Sequence, residues 1–323
     1  MIFLNIDINK IMTLIQLEYI IALDNFRHFA SAAEHCCVTQ PTLSMQIQKL
    51  EEEFGVLLFD RKKQPVSPTL MGEEIIKQAR IIVQESKKVK ELIKNHSEEV
   101  IGEIRIGVIP TLAPYLLPLF VHRFVNKFPQ LKVIIIEMKT EELMIQLKMN
   151  AIDIGLMATP TYDTELVEKP LFYEEFLVYV SENESVFNKE YVLSKDIDND
   201  RLWLLEEGHC VRSQTMQICD LHKQQNVHKN LEYQVGNIET LRKMVDQNGG
   251  IALLPELVLK DLDEKQRNKV RHFQAPAPVR EISLVIHRNF QRHKIIDALM
   301  NEISAVLPEK MLRKNHLNIV HIK

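Results

Sequence analysis

Cysteine is scarce in this chain: four residues in 323, adjacent at Cys36 and Cys37 and paired again at Cys210 and Cys219. So few thiols exclude a disulfide-built scaffold, and in a reducing compartment a close pair points to redox or metal chemistry. A four-cysteine zinc site is excluded because the two pairs lie far apart, in segments of different texture. No run approaches the ~20 apolar residues of a membrane span. The first residues carry neither a basic stretch nor a small-residue cleavage site, so a cytoplasmic protein without membrane association is expected. No cofactor and no metal are expected either. Positive charge is not in surplus: the net charge is -4, and Met12 to Leu70 holds five Lys or Arg against seven Asp or Glu. Nucleic-acid binders usually show a basic face. Any affinity for phosphate must therefore come from local placement, for which Arg61, Lys62 and Lys63 form the tight cluster of that segment.

What is present is an apolar fraction of 46%, ordinary for globular domains, and a length that suits two or three of them. Residues 1-11 show little periodicity. Leu17, Ile20, Ile21 and Leu23 follow helical spacing up to a polar break at Asp24 and Asn25, and Phe29 to Cys36 reads as a second short helix. A third helix carries an apolar stripe at Leu43, Ile47, Leu50 and Phe54. Thr39 precedes it, Pro41 is tolerated in its first turn, and Gly55 suits a left-handed end. Its outer face is polar, with Gln40, Thr42, Ser44, Gln46, Gln48 and Lys49. Such a pair of helices fits a helix-turn-helix, in which amide and hydroxyl side chains read base edges and phosphates. Val56 to Pro68 then reads as a strand, a basic turn and a return strand, a wing.

From Thr69 a long helix runs to about His96. Ile75, Ala79, Ile82, Ser86, Val89 and Ile93 advance by alternating fours and threes, the seam of a short coiled coil, and imply a dimer. A hinge at Glu99 to Gly102 follows. Beyond it, apolar strand-like runs alternate with helical ones, from Ile104 to Ile109 onward, which predicts βαβ units and a mostly parallel sheet in two α/β lobes.

The second cysteine pair lies in this later part. Cys210 follows His209 and precedes Arg212 by two residues, whereas Cys219 sits between Ile218 and Asp220. A nearby cation favours the thiolate, the nucleophilic form of cysteine. The pair reads as an attacking thiol and a resolving thiol. If the residues between them form a helix, the two Cα atoms stand about 13 Å apart at about 1.5 Å per residue. A disulfide needs about 7 Å or less, so the segment would have to unwind or kink to form one.

Taken together, these residues resemble the LysR-type transcriptional regulators and, within that family, its peroxide-sensing members. The first part carries Phe29-Ala30-Ser31-Ala32-Ala33, Val38-Thr39-Gln40-Pro41-Thr42-Leu43-Ser44, and Phe54-Gly55-Val56-Leu57-Leu58-Phe59-Asp60-Arg61. The second carries Ile109-Pro110-Thr111, Glu206-Glu207-Gly208-His209-Cys210, the eight-residue gap to Cys219, and Glu239-Thr240-Leu241-Arg242. The resemblance implies an α/β chain in three parts: a winged helix-turn-helix over residues 12-70, a linker and dimerisation helix over 71-98, and a two-lobed regulatory domain of periplasmic-binding-protein type over 101-308. It implies promoter DNA contacts from Gln40, Pro41, Thr42, Ser44, Gln48, Lys49, Arg61 and Lys62. It also implies that Cys210 is oxidised by hydrogen peroxide to a sulfenic acid, that Cys219 is its disulfide partner, and that cellular thiols reverse the bond. Around the reactive sulfur it places Thr111, Thr140, His209, Arg212 and Arg288. Many such proteins carry Asp after the arginine of the cysteine segment, where this chain has Ser213. The implied protein is a homotetrameric activator that engages RNA polymerase, and is not an enzyme. Two other readings are weighed: a thiol peroxidase using the same cysteines, and a regulator that binds a small metabolite between its lobes.

Overall fold

The computed structural model describes residues 12–94, 100–221, 235–313 and 318–321, in two compact units, Met1–Glu98 and Glu99–Lys323. In the first unit, α1 (Leu14–Phe26) starts in a capping box, where the Gln16 amide N–H donates to Thr13 Oγ1 at 3.3 Å and the Thr13 amide N–H to Gln16 Oε1 at 2.9 Å. The helix runs through Asp24 and Asn25, where the sequence predicts a break. Both are held as acceptors of Arg80 Nη2, at 2.7 and 2.6 Å, so their polarity serves a tertiary contact instead of a turn. After α2 (Phe29–His35) comes α3 (Gln40–Phe54), capped by Thr39 and ended by Gly55 at a φ of 69°, as its boundary residues predict. Its stripe of Leu43, Ile47 and Leu50 is wholly buried against Leu17, Ile20 and Leu23. Each such side chain contributes roughly 1.5–3 kcal/mol.

The wing is β1 (Phe59–Asp60) paired antiparallel with β2 (Ser67–Pro68). The linker helix α4 (Leu70–Lys94) begins at Thr69, whose hydroxyl accepts from the Gly72 N–H at 3.0 Å. Its deepest residues are Ile76, Ala79 and Val83, packed into the core of this same unit. Of the expected seam, Ala79 belongs to that core, while Ile75, Ile82 and Ser86 are half-buried beside it. The side chains of Val89 and Ile93, like residues 1–11 and Glu99 of the hinge, lie outside the described residues.

The second unit starts with β3 (Gly102–Val108), α5 (Ala113–Lys127), β4 (Leu131–Glu137), α6 (Thr140–Lys148) and β5 (Ile154–Thr159). These are βαβ units with β3 in the middle, parallel to both neighbours. The long β6 (Leu166–Val180) follows, then β7 (Tyr191–Val192), α7 (Cys210–Ile218), α8 (Ile238–Asn248), β8 (Ile251–Pro255), α9 (Glu264–Arg267), β9 (Val270–Phe273) and β10 (Pro278–His287). Last come α10 (His293–Ser304), α11 (Glu309–Leu312) and β11 (Asn318–Ile319).

The sheet is mixed, not mostly parallel as its alternation predicts. β10 runs antiparallel to both β5 and β6, and β6 runs antiparallel to β8 and β9. The reason lies in β6, whose first half completes one lobe with β10 while its second half seeds the other. Two long crossing strands thus interrupt the βαβ idiom. The apolar run Leu202 to Leu205 makes isolated bridges at Leu202 and Leu205, and most of the run Leu231 to Val235 lies outside the described residues. No helix among the described residues is long and apolar enough to cross a membrane.

Candidate functional site

Cys210 is the first residue of α7, and Cys219 is the residue that ends it. Both thiols are free and buried, 3% and 6% exposed. The turn that delivers Cys210 needs glycine at Gly208, whose φ is 88° and where an added Cβ would lie 2.9 Å from Lys139 Cδ. His209 then takes extended backbone before the helix. The placement sets the sulfur at a helix N-terminus, where unpaired amides and the helix dipole favour negative charge. At the other end, burial alone pushes the Cys219 thiol up to about 12, so it is held protonated.

Thr111, just past β3, lies 3.9 Å through its Oγ1 from Cys210 Sγ. Its oxygen is occupied on the other side: Arg280 Nη1 donates to Thr111 Oγ1 and Nη2 to the Thr111 carbonyl, each at 3.2 Å. An oxygen that accepts from Arg280 leaves its proton for the sulfur. Arg280 is itself fully buried and forked onto Glu174, with Nε to Oε1 at 2.7 Å and Nη2 to Oε1 at 2.6 Å, both side chains at 0% exposure. Glu174 Oε2 accepts from the Leu257 N–H at 3.1 Å. A relay of four groups therefore runs from the sulfur through β10 and β6 to the segment after β8.

Arg288, which the resemblance places in this environment, stands elsewhere. It is exposed on the turn after β10, its N–H bonded to the Glu165 carbonyl at 2.9 Å. Arg280 occupies the position instead, eight residues back along a strand that advances about 3.3 Å per residue. A cue was available in the sequence: an arginine in the apolar strand Pro278–His287 must be buried with a partner. The same holds for Glu174 within β6.

Beside Cys210 lies a cavity of about 330 Å³, lined by Thr140, Met144, Thr161, His209, Arg212 and Met216 among others. Thr140 is the first residue of α6, and its buried Oγ1 makes no hydrogen bond among the described residues. The two ring nitrogens of His209 make no close hydrogen bond among the described residues, and their polar neighbours are Glu206 and the Gly236 backbone. The nearest ion partner of that ring is Glu206 Oε1 at 3.7 Å, itself 2.7 Å from Lys139 Nζ. Burial first, and then the charge of Lys139, hold the imidazole below its ordinary value, so it is neutral. Arg212 is buried with Nη1 donating to the Leu205 carbonyl at 2.6 Å. Ser213 turns its hydroxyl back to the Cys210 carbonyl at 3.0 Å, a bond internal to α7. Among the described residues no group of three His, Cys, Asp or Glu could hold a metal.

In the first unit, Gln40, Pro41, Gln48 and Lys49 are exposed along α3, and Thr42 and Ser44 are half-buried. The Thr39 and Thr42 hydroxyls bond at 2.8 Å, and Gln48 donates to Glu52 at 2.9 Å. Arg61 is anchored: its Nη2 meets Glu51 Oε2 at 2.7 Å, and its guanidinium lies 5.6 Å from the Phe29 ring centre. Glu51 also accepts from the Leu58 and Phe59 N–H groups, so this pair fixes the wing to the helix. Lys62 and Lys63, beside Arg61 on the wing, are exposed. Cys36 and Cys37 fall between α2 and α3.

Comparison with known proteins agrees with both halves. Residues 14–73 match the model of the bacterial regulatory helix-turn-helix protein, lysR family, and residues 97–308 match the LysR substrate binding domain. The chain belongs to the LysR family. These are DNA-binding transcriptional regulators and not enzymes, which sets the peroxidase reading aside. Among this regulator's relatives, the hydrogen peroxide-inducible genes activator of Haemophilus influenzae is 35% identical over 92% of this chain and 99% of its own. The DNA-binding transcriptional dual regulator OxyR of Escherichia coli is 37% identical over 85% of this chain and 89% of its own. Full-length OxyR from Pseudomonas aeruginosa, solved as a variant, superposes with a TM-score of 0.77 at 31% identity, covering 92% of this regulator and 99% of that chain.

Proposed function

We propose that this LysR-family regulator senses hydrogen peroxide through Cys210 and Cys219. The observation that carries the reading is the contrast between two buried thiols: one at a helix N-terminus beside a hydroxyl oriented by a buried arginine, the other held protonated at the opposite helix end. The Cys210 thiolate attacks one peroxide oxygen, the O–O bond breaks, and hydroxide leaves, giving the sulfenic acid. The Thr140 hydroxyl, which makes no hydrogen bond among the described residues, and the His209 ring line the cavity in which the peroxide would sit. Cys219 then attacks the sulfenic sulfur, and water is lost as the disulfide forms. Cellular thiols return both cysteines to the reduced state.

Nine helical steps from Cys210 to Cys219 separate the Cα atoms by about 13.5 Å at about 1.5 Å per residue, roughly twice what a disulfide allows. The chemistry therefore cannot finish while α7 stays folded, and its unwinding is the signal. The regulator acts in the cytoplasm as a homotetramer on paired promoter half-sites, and the repacked segment changes how those sites and RNA polymerase are engaged. Footprinting on a target promoter tests this. Peroxide should change the wild-type footprint and leave that of Cys219→Ser unchanged; an equal change in Cys219→Ser overturns the disulfide step. The cavity, at about 330 Å³, lies within the range that small ligands fill, ~300–1,000 Å³, and so supports a second reading, a metabolite effector. A ligand that shifts DNA affinity in Cys210→Ser/Cys219→Ser would establish that reading.

A further inference from the structure

The C-terminal segment makes a contact that the sensor chemistry does not use. β11 pairs in parallel with the first residues of β10, Asn318 opposite Pro278 and Ile319 opposite Val279, and the Val320 N–H donates to the Val279 carbonyl at 2.8 Å. Val320 is buried, 6% exposed. Its carbonyl accepts from Gln214 Nε2 at 2.9 Å, and Gln214, in the middle of α7, is 0% exposed. The residues Gln217 and Ile218 of α7 share one groove with Asn318, Ile319 and Val320. Next in the chain, His321 Nδ1 bonds the Tyr162 hydroxyl at 2.7 Å, tying the tail to the loop after β5 as well. The tail residues themselves, 318–321, lie beyond residue 308, where the match to the family's regulatory domain ends.

We infer that residues 318–321 form a clasp that holds α7 in its helical, reduced form, and that disulfide formation between Cys210 and Cys219 releases the tail. This rests on the reading of the two cysteines given above. The argument is geometric. Gln214 lies between the cysteines, four residues from one and five from the other, so no unwinding that brings their Cα atoms within about 7 Å leaves its side chain in place. The hydrogen bond to Val320 must then break, and a buried amide or carbonyl left without a partner is costly. Any group that binds the reduced form and not the oxidised form shifts the equilibrium between them. The clasp is such a group, supplied by the chain itself. It makes the disulfide harder to form and easier to reduce.

The test uses the full chain, Gln214→Leu, a variant ending at Arg313, and the two changes combined, each equilibrated in redox buffers of glutathione. Loss of the clasp favours the disulfide, so each single change should raise its equilibrium constant about tenfold, moving the two-electron midpoint about 30 mV more negative. The combined variant should match the singles instead of adding to them, which separates a clasp from general destabilisation. In the unaltered chain, amide hydrogen exchange at Ile319 and Val320 should be slow when reduced and fast after stoichiometric peroxide. Unchanged midpoints, additive shifts, or tail exchange that oxidation does not alter each overturn the clasp. If the unaltered chain forms no disulfide at all, the sensor reading itself fails, and intact mass distinguishes that outcome from the others.

Discussion

In the reduced, folded protein Cys219 should be alkylated far more slowly than the chemistry of a free cysteine allows. Its thiol is pushed up to about 12 by burial, whereas an unperturbed cysteine titrates near 8.5. At pH 7.5 the thiolate fractions are roughly 3 in 100,000 and 1 in 10, a ratio of about 3,000. Iodoacetamide attacks the thiolate, so native Cys219 should react at least about 1,000-fold more slowly than in the urea-unfolded chain. The 6% exposure of the residue adds a steric barrier in the same direction. Exposed Cys37 supplies an internal reference and should be modified first. Pulse alkylation under reducing conditions, followed by digestion and peptide mass spectrometry, gives all the rates in one sample. A native Cys219 rate within about tenfold of the unfolded rate would refute the reasoning, because the resolving thiol would then be solvated and would need no opening of α7.

Three further outcomes follow from the same site. Thr111→Val removes the hydroxyl facing Cys210 and should slow sulfenic-acid formation about tenfold, about 1.4 kcal/mol of barrier, read by trapping kinetics; an unchanged rate means the Arg280 relay does not act on the sulfur. Arg280→Met strands a buried carboxylate and should cost about 3–5 kcal/mol of stability in urea titrations, whereas adding Glu174→Leu should recover most of it; a double variant no more stable than the single contradicts the pairing. His209 is held below its ordinary value, so the unfolded chain binds a proton that the folded chain does not. The stability it contributes is complete above about pH 6.5 and is lost as pH falls below that. Thermal midpoints should fall between pH 7 and 5.5, less steeply in His209→Gln, and equal slopes would exclude the histidine as the cause.

The helix-turn-helix was legible because every boundary had a local chemical cause: Thr39 as cap, Pro41 in the first turn, Gly55 in the left-handed region. The α/β alternation was equally local. What stayed hidden is tertiary. Asp24 and Asn25 look like a helix break until Arg80 is placed against them. The parallel sheet predicted from alternation becomes mixed because β6 is long enough to belong to two lobes, and strand length across a crossover leaves little trace in periodicity. The α4 stripe that reads as a seam is shared with the core of its own unit, since a 25-residue amphipathic helix offers two adjacent apolar faces. At the candidate site, the two cysteines, His209, Thr111 and Thr140 carry a motif, and the structure places Thr111, Thr140 and His209 near Cys210. Arg280 carries none, because the family resemblance points to Arg288 and only burial distinguishes the two arginines. Gln214 and the tail carry no motif.

The central claim is that peroxide converts the Cys210 thiol, through a sulfenic acid, into a disulfide with Cys219. Intact-mass analysis after one equivalent of peroxide, with a sulfenic-acid trap present, tests it most directly on wild type and Cys219→Ser. Wild type should lose two hydrogens, with Cys210 and Cys219 in one cross-linked peptide after digestion. Cys219→Ser should instead carry a single trap adduct on Cys210. Unmodified Cys210 in both proteins would contradict the account.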